Sequence, residues 1–352
     1  MTSTSSLNHL KHAIEALIAG RHYFKLTINC KFTPIMQKNN SELVESRVPG
    51  TWGSLLVLVG FMLIGMALGN VIALGILAIY YSADASTITV LLTQLISDPS
   101  HVPNGWSAMM ILQGTVHFFS YLLPALLYWF YIERKSFSDF EINRVATPKL
   151  LILAFLLVMV FMPLNSKFIE WNAAMTFPES LSGIETWMKQ KEEQLAMLTE
   201  FLTSYDQPGQ LIVALFVVAF LPAWGEETLF RGIIQRKLFK KTGNIHVAIW
   251  LSAAIFSAIH FQFYGFIPRM LLGAVFGYLY YWTGSLRLAI FAHFVNNGFV
   301  LVMMYLYNVK LLTINIEEMK SMPWPLVIAS VAGTFFILFS LRKQASGEKA
   351  IS

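Results

Sequence analysis

Long apolar stretches broken by short polar ones organise this chain. Runs of the ~20 residues needed to cross a hydrocarbon core of ~30 Å fall near 54–81, 107–132, 148–165, 209–235, 245–262, 266–283, 286–307 and 323–341. The pattern predicts an all-α fold, a polytopic membrane bundle of about eight transmembrane helices over 51–341. Residues 1–50 and 342–352 read as tails. Asn165 to Gln210, between the third and fourth spans, is the one long loop. In it Trp187, Met188, Leu195, Leu198 and Leu202 recur at helical spacing beside Lys189, Lys191, Glu192 and Glu193. That predicts a helix lying in the interface, as a cap on the bundle or a lid over a site. Gly273 and Gly277 form a G-x-x-x-G pair that lets a neighbouring helix approach closely.

Composition sharpens this reading. The chain is 56% hydrophobic and 13% charged, with a mean hydropathy of +0.58, far from the quarter or so of charged residues in soluble domains. Its single cysteine, Cys30, has no internal disulfide partner. The net charge of +5 sits in loops and at helix ends, where orientation in a bilayer accounts for it, so a nucleic-acid partner is not expected. Ser82 to Trp106 contains no Lys or Arg. Arg134, Lys135, Arg144 and Lys149 lie between the second and third spans, Arg236, Lys237, Lys240 and Lys241 follow the fourth, and Arg342, Lys343 and Lys349 follow the eighth. The positive-inside rule then predicts a multi-pass cell-membrane protein with both termini cytoplasmic. The first fifty residues lack the shape of a signal peptide. Met36 opens a polar run, Gln37 to Gly50, and is a candidate start.

Candidate chemistry stands out against this apolar background. Glu226, Glu227 and Arg231 interrupt the fourth span, although a charge at a membrane helix centre costs about 2.5–3.5 kcal/mol. Residues four apart share a helix face, so Glu227 and Arg231 are expected to pair and leave Glu226 free. The next two motif-bearing spans carry His260, in Phe256-x-x-x-His260, and His293 with Asn297. At ~1.5 Å per residue, Glu226 lies ~21 Å from a helix end near Lys240 and His260 ~22 Å from a start near Ile245. His293 and Asn297 lie ~10 and ~16 Å along their own span by the same rise. The depths match, which predicts one cavity.

Glu226-Glu227-x-x-x-Arg231, Phe256-x-x-x-His260 and His293-x-x-x-Asn297 together resemble the three motifs of the CAAX prenyl endopeptidase type II and bacteriocin-processing family of intramembrane proteases, also called Abi or CPBP. The resemblance covers 209–305. It implies an eight-helix core open to the cytoplasmic side and hydrolysis of a peptide bond in a hydrophobic peptide or membrane-associated protein, prenylated or not. No Ser or Cys forms an evident nucleophile–base set. Glu226 with His260 is expected to polarise a water, His293 and Asn297 to stabilise the oxyanion, and Glu227 with Arg231 to set the charge around Glu226. Glu226, His260 and His293 also make up a two-His-one-carboxylate set that can hold catalytic zinc. A metal-free glutamate mechanism uses the same residues. The alternatives are a transporter with an intramembrane Glu/Arg/His relay, against which no inverted repeat stands out, and a non-catalytic immunity protein on the same fold.

Overall fold

The computed structural model describes residues 50–142, 146–313 and 322–348, with the backbone alone for 344–348. The N-terminal tail with Cys30 and Met36 lies outside the described residues, as do Arg144 and Lys349.

Helices run in the order α1 (Thr51–Tyr81), α2 (Ala85–Ser97), α3 (Gly105–Ile132), α4 (Pro148–Ala173), α5 (Ser182–Thr203), α6 (Pro208–Thr242), α7 (Ile245–Ala258), α8 (Phe266–Thr283), α9 (Leu286–Asn308) and α10 (Trp324–Glu348). No strand occurs among the described residues. All eight predicted spans are helices. Among the described residues six are long and apolar enough to cross a membrane: α1, α3, α4, α6, α9 and α10 up to Lys343. Helices α7 and α8, of 14 and 18 residues, fall short of that measure.

Several boundaries differ from the hydropathy runs for identifiable reasons. Helix α4 passes through Pro163 and continues to Ala173, because the Leu164 N–H donates instead to Ser330 Oγ on α10, at 3.0 Å. A partner on a neighbouring helix is what makes an internal proline tolerable in a membrane. Helix α7 stops at Ala258, four residues early, and Phe261 takes a left-handed backbone with φ of 52°. The 82–106 connection holds α2, whose start is capped by the Asp84 carboxylate accepting from the Thr87 N–H at 2.8 Å.

Two tight turns position the site. Gly243, at φ 67°, ends α6, and the Asn244 side chain accepts from the His246 and Val247 N–H groups to start α7. Gly284, at φ 66°, ends α8 one residue before α9 is entered through Ser285. A helix that ends on a left-handed glycine and restarts at once folds back on its neighbour, so α6 with α7 and α8 with α9 are adjacent. One apolar cluster joins Leu229, Phe230 and Ile233 of α6 to Tyr128 and Trp129 of α3, Phe256 of α7 and Tyr280 of α8. A second joins α4, α8, α9 and α10.

In the 166–207 connection, α5 forms where the periodicity placed it. Its C-terminal end is docked: Leu202 is buried, Trp106 Nε1 donates to the Leu202 carbonyl at 3.1 Å, and Asn308 Nδ2 donates to the Thr203 carbonyl at 2.7 Å. Trp187 is half exposed instead of packed. Glu192 turns partly inward, where burial raises its carboxyl above the usual range against the opposing pull of Arg269.

Candidate active site

Helix α6 is not a uniform α-helix. Leu215–Phe220 and Thr228–Gln235 are π-helical, and the short α-helical piece between them, Leu221–Glu227, carries both carboxylates. Wide turns of this kind concentrate at functional positions in helices. Pro222 lies inside α6 and has no N–H for the carbonyl four residues back, Val218.

Glu227 is completely buried and Arg231 1% exposed. The expected pair forms, with Arg231 Nη1 donating to Glu227 Oε1 at 2.7 Å. A buried guanidinium is tolerable only when its remaining donors are also used. Nη2 donates to the Gly273 carbonyl on α8 at 2.7 Å, and the charge lies over the ring of Phe256, 4.8 Å from its centroid. One turn on, Gln235 Nε2 donates to the Gly277 carbonyl at 3.2 Å. The glycine pair of α8 thus receives two α6 side chains, spaced four apart on both helices. A Cβ on Gly273 would stand 3.1 Å from Arg231 Nη2.

His293 comes in from α9. Its Nδ1 donates to the same Glu227 Oε1 at 2.8 Å, and its Nε2 faces Glu226 Oε2 at 3.8 Å. The carboxylate on Nδ1 orients the ring and turns the other nitrogen toward Glu226. Phe276 stacks on this imidazole at 5.4 Å.

His260 lies just past the end of α7, where Nδ1 donates to the Phe256 carbonyl at 2.8 Å. That carbonyl lost its helical partner when α7 stopped, and binding it leaves Nε2 as the acceptor. The Phe256 ring contacts both His260 and His293 edge-on, at 5.0 and 6.1 Å. Asn297, one turn beyond His293, donates through Nδ2 to the Val218 carbonyl in the first π-turn of α6, at 3.4 Å, and accepts from Asn296 Nδ2 at 3.1 Å.

Glu227 is therefore bonded to both Arg231 and His293, and His293 faces Glu226, with His260 and Asn297 tied to the same assembly through Phe256 and the α6 backbone. Among the described residues, no three His, Cys, Asp or Glu side chains are gathered closely enough to hold a metal ion. In the set Glu226, His260 and His293, Nδ1 of each imidazole is engaged within the protein and Nε2 is the nitrogen left to a ligand, the arrangement that metal-bound histidines commonly show.

Two residues absent from the sequence reading also reach the site. His117 of α3 places Nε2 4.0 Å from Glu226 Oε1. Arg269 of α8 lies close enough to act electrostatically on Glu226 and His260, and its Nη2 is bonded to Gln262. Beside the centre, between α6 and α9, Phe220, Trp224, Ile290, Phe291 and Phe294 line a groove of about 410 Å³ with Arg287 at its edge. Trp224 and Phe294 are close sequence neighbours of Glu226 and His293.

Residues 208–299 match the family described as Rce1-like, type II CAAX prenyl endopeptidase. An uncharacterized protein of Bacillus subtilis (strain 168), YpbD, is 33% identical over 82 residues, 22% of this chain and 39% of its own. The protein named "Putative membrane peptidase YdiL", from the same organism, is 34% identical over 96 residues, 27% of this chain and 37% of its own. The chain thus spans under two fifths of the length of these curated relatives. No solved structure matches it. The paired carboxylates, both motif histidines and Asn297 all lie within the segment that matches this Rce1-like family.

Proposed function

We propose that this protein is an intramembrane endopeptidase that hydrolyses a peptide bond in a hydrophobic peptide or membrane-associated protein by a glutamate-activated water. One observation carries the reading: Glu226 Oε2 faces the Nε2 of an imidazole whose other nitrogen is fixed on an arginine-neutralised glutamate. Glu227 is spent on Arg231 and His293, so Glu226 is the carboxylate left to act as base.

Water bound between Glu226 and the acceptor Nε2 of His260 gives one proton to Glu226 as its oxygen bonds to the scissile carbonyl carbon. Collapse of the tetrahedral intermediate breaks the C–N bond, and Glu226 returns the proton to the leaving amine. Asn297 Nδ2 gives an N–H to the oxyanion. His293 does the same from Nε2 in its doubly protonated form, with Nδ1–H remaining on Glu227. The groove beside Trp224 and Phe294 suits an apolar side chain or a prenyl group of the substrate. The loop charges favour a cytoplasmic side for both termini and the basic loops, so reporters fused at Lys135 and Lys240 should read inside and those at Asp98 and Glu192 outside.

The test uses purified full-length protein in detergent with fluorogenic hydrophobic peptides, each with and without a farnesyl group. Wild-type cleavage that survives a strong chelator, and falls on the order of 10²–10³-fold in His293→Ala, supports the reading. Stoichiometric zinc that tracks turnover overturns its metal-free part. Absence of cleavage across the whole set overturns the protease assignment.

A further inference from the structure

Helix α3 lies outside the matched segment and carries none of the three motifs, yet it brings a line of polar groups into the bundle. Gln113, His117 and Tyr121 are spaced four apart on one face. Gln113 Oε1, His117 Nε2 and Ser120 Oγ are buried and make no hydrogen bond among the described residues. A buried polar atom without a partner costs ~1–3 kcal/mol, so several on one face of a membrane helix call for a purpose.

His117 is the best placed of them. Its ring stacks on Tyr121 at 4.6 Å with planes 13° apart, which fixes its orientation. The close approach depends on Gly225, immediately before Glu226. A Cβ there would meet His117 Nε2, the Leu122 nitrogen and Tyr121 Cβ, each at 3.3 Å. A histidine serving only as packing would turn its nitrogens to a carbonyl on its own or a neighbouring helix. This one directs Nε2 at Glu226 Oε1, 4.0 Å away, while His293 stands at Oε2.

Glu226 differs from its neighbour in one further respect. Among the described residues no hydrogen bond holds its carboxylate, whereas Glu227 Oε1 accepts two. The terminal torsion of a glutamate is soft, and an unheld carboxylate presents neither oxygen reliably to a water. We infer that His117 is a positioning residue of the centre, a donor from α3 that holds Glu226 by Oε1 and leaves Oε2 to meet the reacting water. The 4.0 Å separation exceeds a hydrogen bond, and a small rotation about the soft terminal torsion of Glu226 closes it without substrate. This inference rests on the endopeptidase reading for its kinetic consequence, though not for the contact itself.

His117→Leu removes the donor, and His117→Gln keeps a side-chain N–H of similar reach. The first should lower kcat on the order of 10²-fold, the effect of a misplaced reacting group, with KM unchanged, and the second should restore most of the rate. An activity-independent arm follows the Glu226 carboxylate band in infrared difference spectra, identified by its loss in Glu226→Gln. That band should shift in His117→Leu and return in His117→Gln. If the Leu variant does not fold, His117→Phe, which keeps the stack on Tyr121, replaces it. Wild-type kcat in the apolar variant, equal impairment of the apolar and Gln variants, or an unmoved band overturns the inference. Should the wild type cleave nothing, the protease reading falls, and the infrared arm alone decides whether His117 holds Glu226.

Discussion

Helices α1 and α6 are both apolar enough to span a bilayer, and they do opposite things with that property. The most apolar window of α1 is 17% buried inside the protein, that of α6 33%, and that of α9, which supplies His293, 44%. Leu56, Leu63, Ile64 and Ile79 of α1 point outward, where lipid is their solvent. In α6 the polar groups point inward and several are met from other helices: Glu227 by His293, Arg231 by Gly273, Gln235 by Gly277. A polar residue is not enough to mark the second kind of helix. Asn70 of α1 is exposed and satisfies itself on the Met66 carbonyl of its own turn, at 2.8 Å. What distinguishes α6 is that its polar side chains are answered by other helices.

The sharpest way to break this contrast is within the glutamate pair. Glu226→Gln should lower turnover by about 10³-fold or more and leave thermal unfolding in detergent unchanged, since no hydrogen bond within the protein is lost. Glu227→Gln should abolish turnover and also cost ~3–5 kcal/mol of stability, because it leaves Arg231 as an unpaired buried charge. If unfolding ranks the two variants the other way round, the division of labour assigned to them is wrong.

A smaller effect is expected where α8 receives α6. A Cβ on Gly277 would lie 2.8 Å from Gln235 Oε1 and 2.9 Å from Ile249 Cγ2, so Gly277→Val should destabilise by ~1–3 kcal/mol through overpacking. An unchanged melting temperature would show that the two helices are not in van der Waals contact there. The smallest effect belongs to α1. Gly60 and Gly75 have open space around a built Cβ, so Gly60→Ala and Gly75→Ala should leave turnover untouched. Each should gain up to ~1 kcal/mol from helix propensity. A loss of activity in either would mean that α1 reaches the site.

Much of this was legible before any coordinates. The eight helices follow from the apolar runs, and the Glu227–Arg231 contact follows from four-residue spacing. The three motifs single out six residues that the fold does bring into one assembly. His117 escapes the sequence reading because it belongs to none of the three motifs and lies outside 209–305. The signal was present in the recurrence Gln113, His117, Tyr121, a polar stripe with no reason to exist on a lipid-facing helix. The π-turns of α6 were out of reach, because a widened turn depends on which carbonyls find partners on other helices, as Val218 does on Asn297. The early end of α7 was equally hidden: Phe261 adopts a left-handed backbone that its residue type does not suggest.

The double attachment of α6 to α8 also governs how the molecule can breathe. Sliding one helix past the other by a single residue is a displacement of ~1.5 Å with a rotation of ~100°, and it would take Arg231 from the Gly273 carbonyl and Gln235 from the Gly277 carbonyl at once. Two bonds a full turn apart therefore suppress both screw and hinge motions between these helices, which travel as one rigid wall. Any widening of the bundle beside α6 has to come from the walls that meet it through packing alone.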